Sequence, residues 1–112
     1  MTAKEKAILI VKALEEKLAR DIEVIDIQEI SLIADYFVIA SATNSSQMNA
    51  LVDAVEDAGA KEHFSARKPE GSYQSGWALM DCGDVIVHLF SEKERSFYDL
   101  EHIWQDGKRV EF

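Results

Sequence analysis

The chain has 112 residues, 47% of them hydrophobic, and a net charge of −9. That length suits one domain with a modest core, and the apolar content argues against disorder. The acidic balance disfavours broad contact with a phosphate backbone, which is bound through Lys and Arg, and favours a basic protein partner or simple solubility. Cys82 is the single cysteine, so no internal disulfide can form, which fits a reducing compartment. The apolar run Ala7 to Val11 is cut short by Lys12, too early for a signal segment or a membrane span. The expected location is cytoplasmic.

In chain order, Ala3 to Arg20 reads as a helix, with Ala7, Val11, Leu14 and Leu18 at helical spacing and Ile8 and Ile10 widening the stripe. Ile22 to Ile27 is rich in β-branched residues and predicts a strand. Tyr36 to Ala40 is continuously apolar, as suits a central strand buried on both faces. Asn44 and Gln47 then match a helix start with reciprocal capping. Met48, Leu51, Val52 and Val55 give that helix its apolar stripe, and Gly59 suits its stop. Glu62 to Lys68 predicts a short strand and Pro69 to Ser72 a turn.

Trp77 to Asp81 and Val85 to Phe90 read as two strands joined by a tight Cys82-Gly83 turn. Ser91 and Glu94 form a capping box for a last helix carrying Phe97, Leu100, Ile103 and Trp104. Asp106 to Arg109 reads as a turn and residues 105–112 as a short tail. The sum is a single α/β domain over residues 1–112, a mixed sheet of about five strands with helices packed on it.

Side chains alternate across a strand. Val85, Val87 and Leu89 share one aliphatic face, which predicts helix cover. Ile86, His88 and Phe90 share the other, and Trp77, Leu79 and Asp81 can lie beside them. A face combining large apolar groups with a histidine and a carboxylate suits either ordinary core or an exposed protein-binding patch. Asp81, Asp84 and His88 match no metal-ligand signature. Ser45-Ser46 lacks a base and an oxyanion context, and Cys82 has no sequence-local cation to activate it. No phosphate loop or aromatic-basic platform for nucleic acid is present.

Three blocks carry a resemblance. They are Ala34-Asp35-Tyr36-Phe37-Val38-Ile39; Glu70-Gly71 with Gly76-Trp77, Asp81 and Gly83-Asp84-Val85-Ile86-Val87-His88; and Arg95 to Trp104, which follows R-x-F-Y-x-L-E-x-L-W with Ile103 for the usual Leu. In order and spacing they resemble the ribosomal silencing factor family, also called Iojap or RsfS. Ala42, where the family often has glycine, and Ser46, where it often has a basic residue, depart from the pattern, so the loop before the second helix is assigned no role.

The resemblance implies a nucleotidyltransferase-like fold without the transferase's catalytic signature. It implies binding to ribosomal protein uL14 (L14) of the large subunit, obstruction of small-subunit joining and repression of translation. On that basis Trp77 and Leu79 are expected apolar anchors, Asp81, Asp84 and Glu101 an acidic rim, and His88, Phe90 and Tyr98 the completion of the patch. Neither metal, cofactor, membrane nor sequence-specific nucleic-acid contact is expected. Two alternatives stay open: a nucleotidyltransferase-like enzyme with metal or nucleotide chemistry at Asp81 and Asp84, and a homodimerisation module using the same face.

Overall fold

The computed structural model describes residues 1–98 and 108–110. The elements are α1 (Ala3–Glu16), β1 (Arg20–Asp26), β2 (Tyr36–Ala42), α2 (Ser45–Glu62), β3 (Glu70–Ser72), β4 (Trp77–Asp81), β5 (Val85–Ser91), α3 (Glu92–Tyr98) and β6 (Lys108–Val110). They build one mixed sheet of six strands in the order β3-β4-β5-β2-β1-β6. Among the described strands only β2 and β5 run parallel, and they form the middle of the sheet. Every residue of β2 is buried, as its unbroken apolar run requires for a strand covered on both sides.

Helices α1 and α2 lie on one face. Ala7, Ile10 and Leu14 of α1 and Met48, Leu51 and Val55 of α2 meet Val38, Ala40, Met80, Val85, Val87 and Leu89 there. The α1 helix opens on a full capping box, in which Thr2 and Glu5 each accept the other's backbone N–H. Asn44 caps α2 by accepting the Gln47 N–H at 2.8 Å. Gln47 does not return to Asn44: its Oε1 accepts from Thr43 and its Nε2 donates to the Lys17 and Leu18 carbonyls. One side chain thereby ties the start of α2 to the end of α1, where carbonyls lack helical partners.

Several boundaries differ from expectation. The first helix stops at Glu16 because Leu18 and Asp21 take left-handed backbone conformations, which end the helix and bulge the start of β1. Leu18 therefore leaves the apolar stripe and is exposed. Gly59 is not the stop of α2. The helix runs on to Glu62, and His63 in the left-handed region ends it. Gly59 serves close approach instead, since a Cβ there would lie 2.8 Å from the Phe64 carbonyl oxygen.

No strand forms over 62–68; the third strand comes later, at Glu70–Ser72. Gly71 is required in it, because its φ is +91° and a Cβ would collide with the Trp77 carbonyl. The sheet has six strands rather than about five, because Lys108–Val110, expected to be turn and tail, pairs antiparallel with β1. The last helix is described only to Tyr98, so its expected continuation through Trp104 lies outside the described residues. Ser91 caps it by accepting the Glu94 N–H, but the Ser91 N–H donates to Gly76, so the expected reciprocal box is half formed.

Candidate functional site

The face of the sheet away from α1 and α2 is built by cross-strand register. Trp77 pairs with Phe90, Leu79 with His88 and Asp81 with Ile86. On the other side of β5, Phe37 lies beside Ile86, Ile39 beside His88 and Ser41 beside Phe90. Beyond β2, Glu23 opposes Ile39 and Ile25 opposes Phe37, with Arg109 next to Ile25 at the edge. The alternation expected for the hairpin therefore holds: Val85, Val87 and Leu89 face the helices, and Ile86, His88 and Phe90 face away.

An aromatic stack occupies this face. The Trp77 and Phe90 rings lie 5.4 Å apart at 22°, and Phe37 meets His88 edge-on at 4.5 Å. The Trp77 indole N–H donates to His88 Nδ1 at 3.1 Å. That bond leaves the imidazole proton on Nε2. Burial drives the His88 pKa down from 6.5 to about 4, so the ring is neutral near pH 7. The Nε2 atom finds no hydrogen-bond partner among the described residues.

The expected site residues separate by depth. Trp77, Leu79 and Asp81 are half-buried along β4, whereas His88 and Phe90 are buried beside them on β5. His88 and Phe90 thus back the tryptophan rather than face solvent. Tyr98 is the last residue of α3, and Glu101 lies outside the described residues.

The two aspartates of the turn do different work. Asp81 Oδ1 accepts the Gly83 N–H at 2.8 Å and shapes the turn, for which Gly83 supplies a φ of +86°. Asp84 pairs with Lys6 Nζ at 2.8 Å, and the same ammonium donates to the Cys82 carbonyl. Their carboxylates are committed to separate partners and do not converge. Cys82 is fully buried, and burial first of all pushes its thiol pKa up to about 11, so it carries no thiolate near pH 7.

A polar arm borders the aromatic stack. Arg95 donates to Ser41 Oγ at 2.8 Å and approaches Glu23 Oε2 at 3.7 Å, and Arg109 approaches Glu23 Oε1 at 3.2 Å. Composition and spacing did not single out Phe37, Ser41 or Glu23 as members of this surface. Their signal is register: β2 and β1 lie next to β5, which single-strand alternation does not reveal. Among the described residues no helix is long and apolar enough to cross a membrane.

Fold and surface together define a small single-domain α/β protein whose six-stranded sheet carries α1 and α2 on one face and, on the other, an aromatic cluster bordered by α3. The sequence model of the family described as "RsfS: Ribosomal silencing factor during starvation" matches residues 1–112. The chain is similar to the ribosomal silencing factor RsfS of Bacillus subtilis, 39% identical over 95 residues that cover 85% of this chain and 80% of that one. It is also similar to the chloroplastic protein Iojap of Zea mays, 31% identical across 94% of this chain and 46% of that protein. A crystal structure from Chromobacterium violaceum superposes with a TM-score of 0.88 at 28% identity, covering 100% of this chain and 92% of that one. One from Bacillus halodurans superposes with a TM-score of 0.83 at 31% identity, covering 97% and 99%. The chain belongs to the ribosomal silencing factor family.

Proposed function

We propose that this protein is a cytoplasmic translational repressor that binds ribosomal protein uL14 of the large subunit and sterically blocks joining of the small subunit. The observation that carries the reading is the aromatic stack ending in half-buried Trp77 on the face opposite α1 and α2. Aromatic anchors supported from below by packed neighbours dominate protein interfaces. Trp77 has that support from Phe90 and from the hydrogen bond to His88. Leu79 extends the apolar contact along β4 and Asp81 gives it an acidic border. The charge of −9 speeds encounter with a basic ribosomal protein. The role is one of binding and obstruction, without a catalytic step.

Sedimentation with separated ribosomal subunits tests the reading. The protein is expected to migrate with the large subunit and to reduce formation of joined ribosomes. Trp77→Ala is expected to weaken uL14 binding by about 2 kcal/mol, roughly 30-fold in Kd, in a calorimetric titration. A circular dichroism spectrum like that of the parent shows that the domain remains folded. Unchanged affinity in a folded Trp77→Ala protein removes Trp77 from the contact.

A further inference from the structure

The loop between β1 and β2 presents the most exposed run of large apolar side chains among the described residues. Ile30 is 40% exposed, Leu32 106% and Ile33 74%. The loop is held in this shape by its own backbone. The Ile30 and Ser31 N–H groups donate to the Ile27 carbonyl, the Ile33 N–H to Ser31 Oγ, and the Ile27 N–H to the Asp35 carbonyl. The Asp35 N–H then donates to the Asp84 carbonyl at 2.7 Å, which fastens the loop to the β4–β5 turn. Ile27 and Ala34 at its two ends are buried and anchor it further. The apolar tip is thus held outward in an ordered turn, the pre-organised condition in which binding loses least conformational entropy.

The surroundings select the occupant. Asp26, Glu29, Asp35, Asp81 and Asp84 cluster at this end of the sheet. Lys6 is taken by Asp84, and Lys108 stands 3.8 Å from Glu29. A carboxylate-rimmed apolar tip repels a phosphate backbone and repels a second copy bringing the same five acids. It fits a protein surface in which Lys or Arg residues border an apolar recess. This end is also distant from Trp77, which pairs near the far end of β5 with Phe90, whereas the loop is fastened where β5 begins.

We propose that the β1–β2 loop is a second docking surface, for a basic protein of the large ribosomal subunit other than uL14. The proposal rests on the ribosome-binding reading above and adds a second contact to it. The test compares two targets, isolated uL14 and whole large subunits, using the full chain. The double variant Leu32→Asp/Ile33→Asp changes only exposed side chains. It is expected to bind isolated uL14 like the parent and to bind large subunits about tenfold more weakly or worse, the scale of two lost apolar contacts. Glu29→Lys, also exposed, is expected to weaken subunit binding several-fold, by an amount that shrinks as salt rises.

A photo-crosslinker placed at position 32 is expected to capture a basic large-subunit protein. Parent-like binding of large subunits by the double variant overturns the second surface and leaves the uL14 reading standing. Weakened binding to isolated uL14 overturns it differently, by assigning the loop to the uL14 contact. Capture of ribosomal RNA or of a second copy overturns the occupant. Failure of the parent protein to bind large subunits overturns both readings.

Discussion

The two faces of β5 differ more than two sides of one strand usually do. Val85, Val87 and Leu89 are fully buried among aliphatic side chains of α1 and α2, a face made for packing alone. Ile86, His88 and Phe90 look the other way, toward an aromatic stack, a hydrogen-bonded histidine and a nearby arginine-glutamate arm. Aliphatic groups fill space without direction, so their loss should be felt as stability. Indole, imidazole and guanidinium groups have directional partners, so their loss should be felt as geometry and binding as well.

The sharpest way to break this contrast is Leu89→Ala. Leu89 is wholly buried on the helix-covered face, and its truncation is expected to cost about 3 kcal/mol, within the usual range for a large core aliphatic. Denaturant unfolding measures it. A loss below about 1 kcal/mol would mean that the site collapses to fill the gap and that this face is not tightly packed.

A comparable effect is expected on the other face, but only in acid. The His88 pKa is lowered by burial from 6.5 in the unfolded chain to about 4 in the fold. Between these values the unfolded state holds the extra proton, so stability falls as the pH drops. The contribution is complete above about pH 6.5, is lost progressively toward pH 4, and amounts to an order of 3 kcal/mol at most. Protonation also places a donor on Nδ1, which then cannot accept the Trp77 indole N–H. Chemical denaturation across this range should show the slope in the parent and a flatter profile in His88→Phe. An equal slope in both proteins would assign the acid sensitivity to other groups.

Arg95 should rank below these. Its side chain is only 12% exposed and holds Ser41 Oγ at 2.8 Å beside Glu23. Arg95→Ala leaves a half-buried carboxylate with a weaker neighbour and a buried hydroxyl without that donor. A loss of about 2 kcal/mol is expected, measured by thermal or denaturant unfolding.

The helix-covered side was the more legible in the sequence, because it depends on periodicity. The alternation in β4 and β5, the solid apolar run of β2 and the stripe of α2 all follow from spacing. Features that depend on distant partners were not legible. Asp84 pairs with Lys6 across nearly the whole chain, a pairing that no local pattern marks. His88 and Phe90 belong to the expected face, yet both are buried in it, and alternation along one strand does not tell a covered face from an open one. The sixth strand was hidden because Lys108-Arg109-Val110 has no apolar alternation and forms by adding to the edge of β1. Gly59 suits a helix stop by composition, whereas the close Phe64 carbonyl decides its role.

The smallest expected effect lies at the same carboxylate and isolates what burial contributes. Glu23 is shared by two arginines, Arg95 at 12% side-chain exposure and Arg109 at 68%. The Arg109 contact is shorter, 3.2 Å against 3.7 Å, so distance alone would rank it the stronger. Solvent screening and the entropy of holding an exposed side chain argue the reverse. Arg109→Ala is expected to cost under about 1 kcal/mol, and less at 1 M salt, where exposed pairs are screened. Measured beside Arg95→Ala at low and high salt, the two should separate by burial rather than by contact length. If Arg109 proves the costlier loss, the pairing of β6 with β1 depends on that ion pair, and the edge of the sheet is held by charge rather than by its backbone ladder.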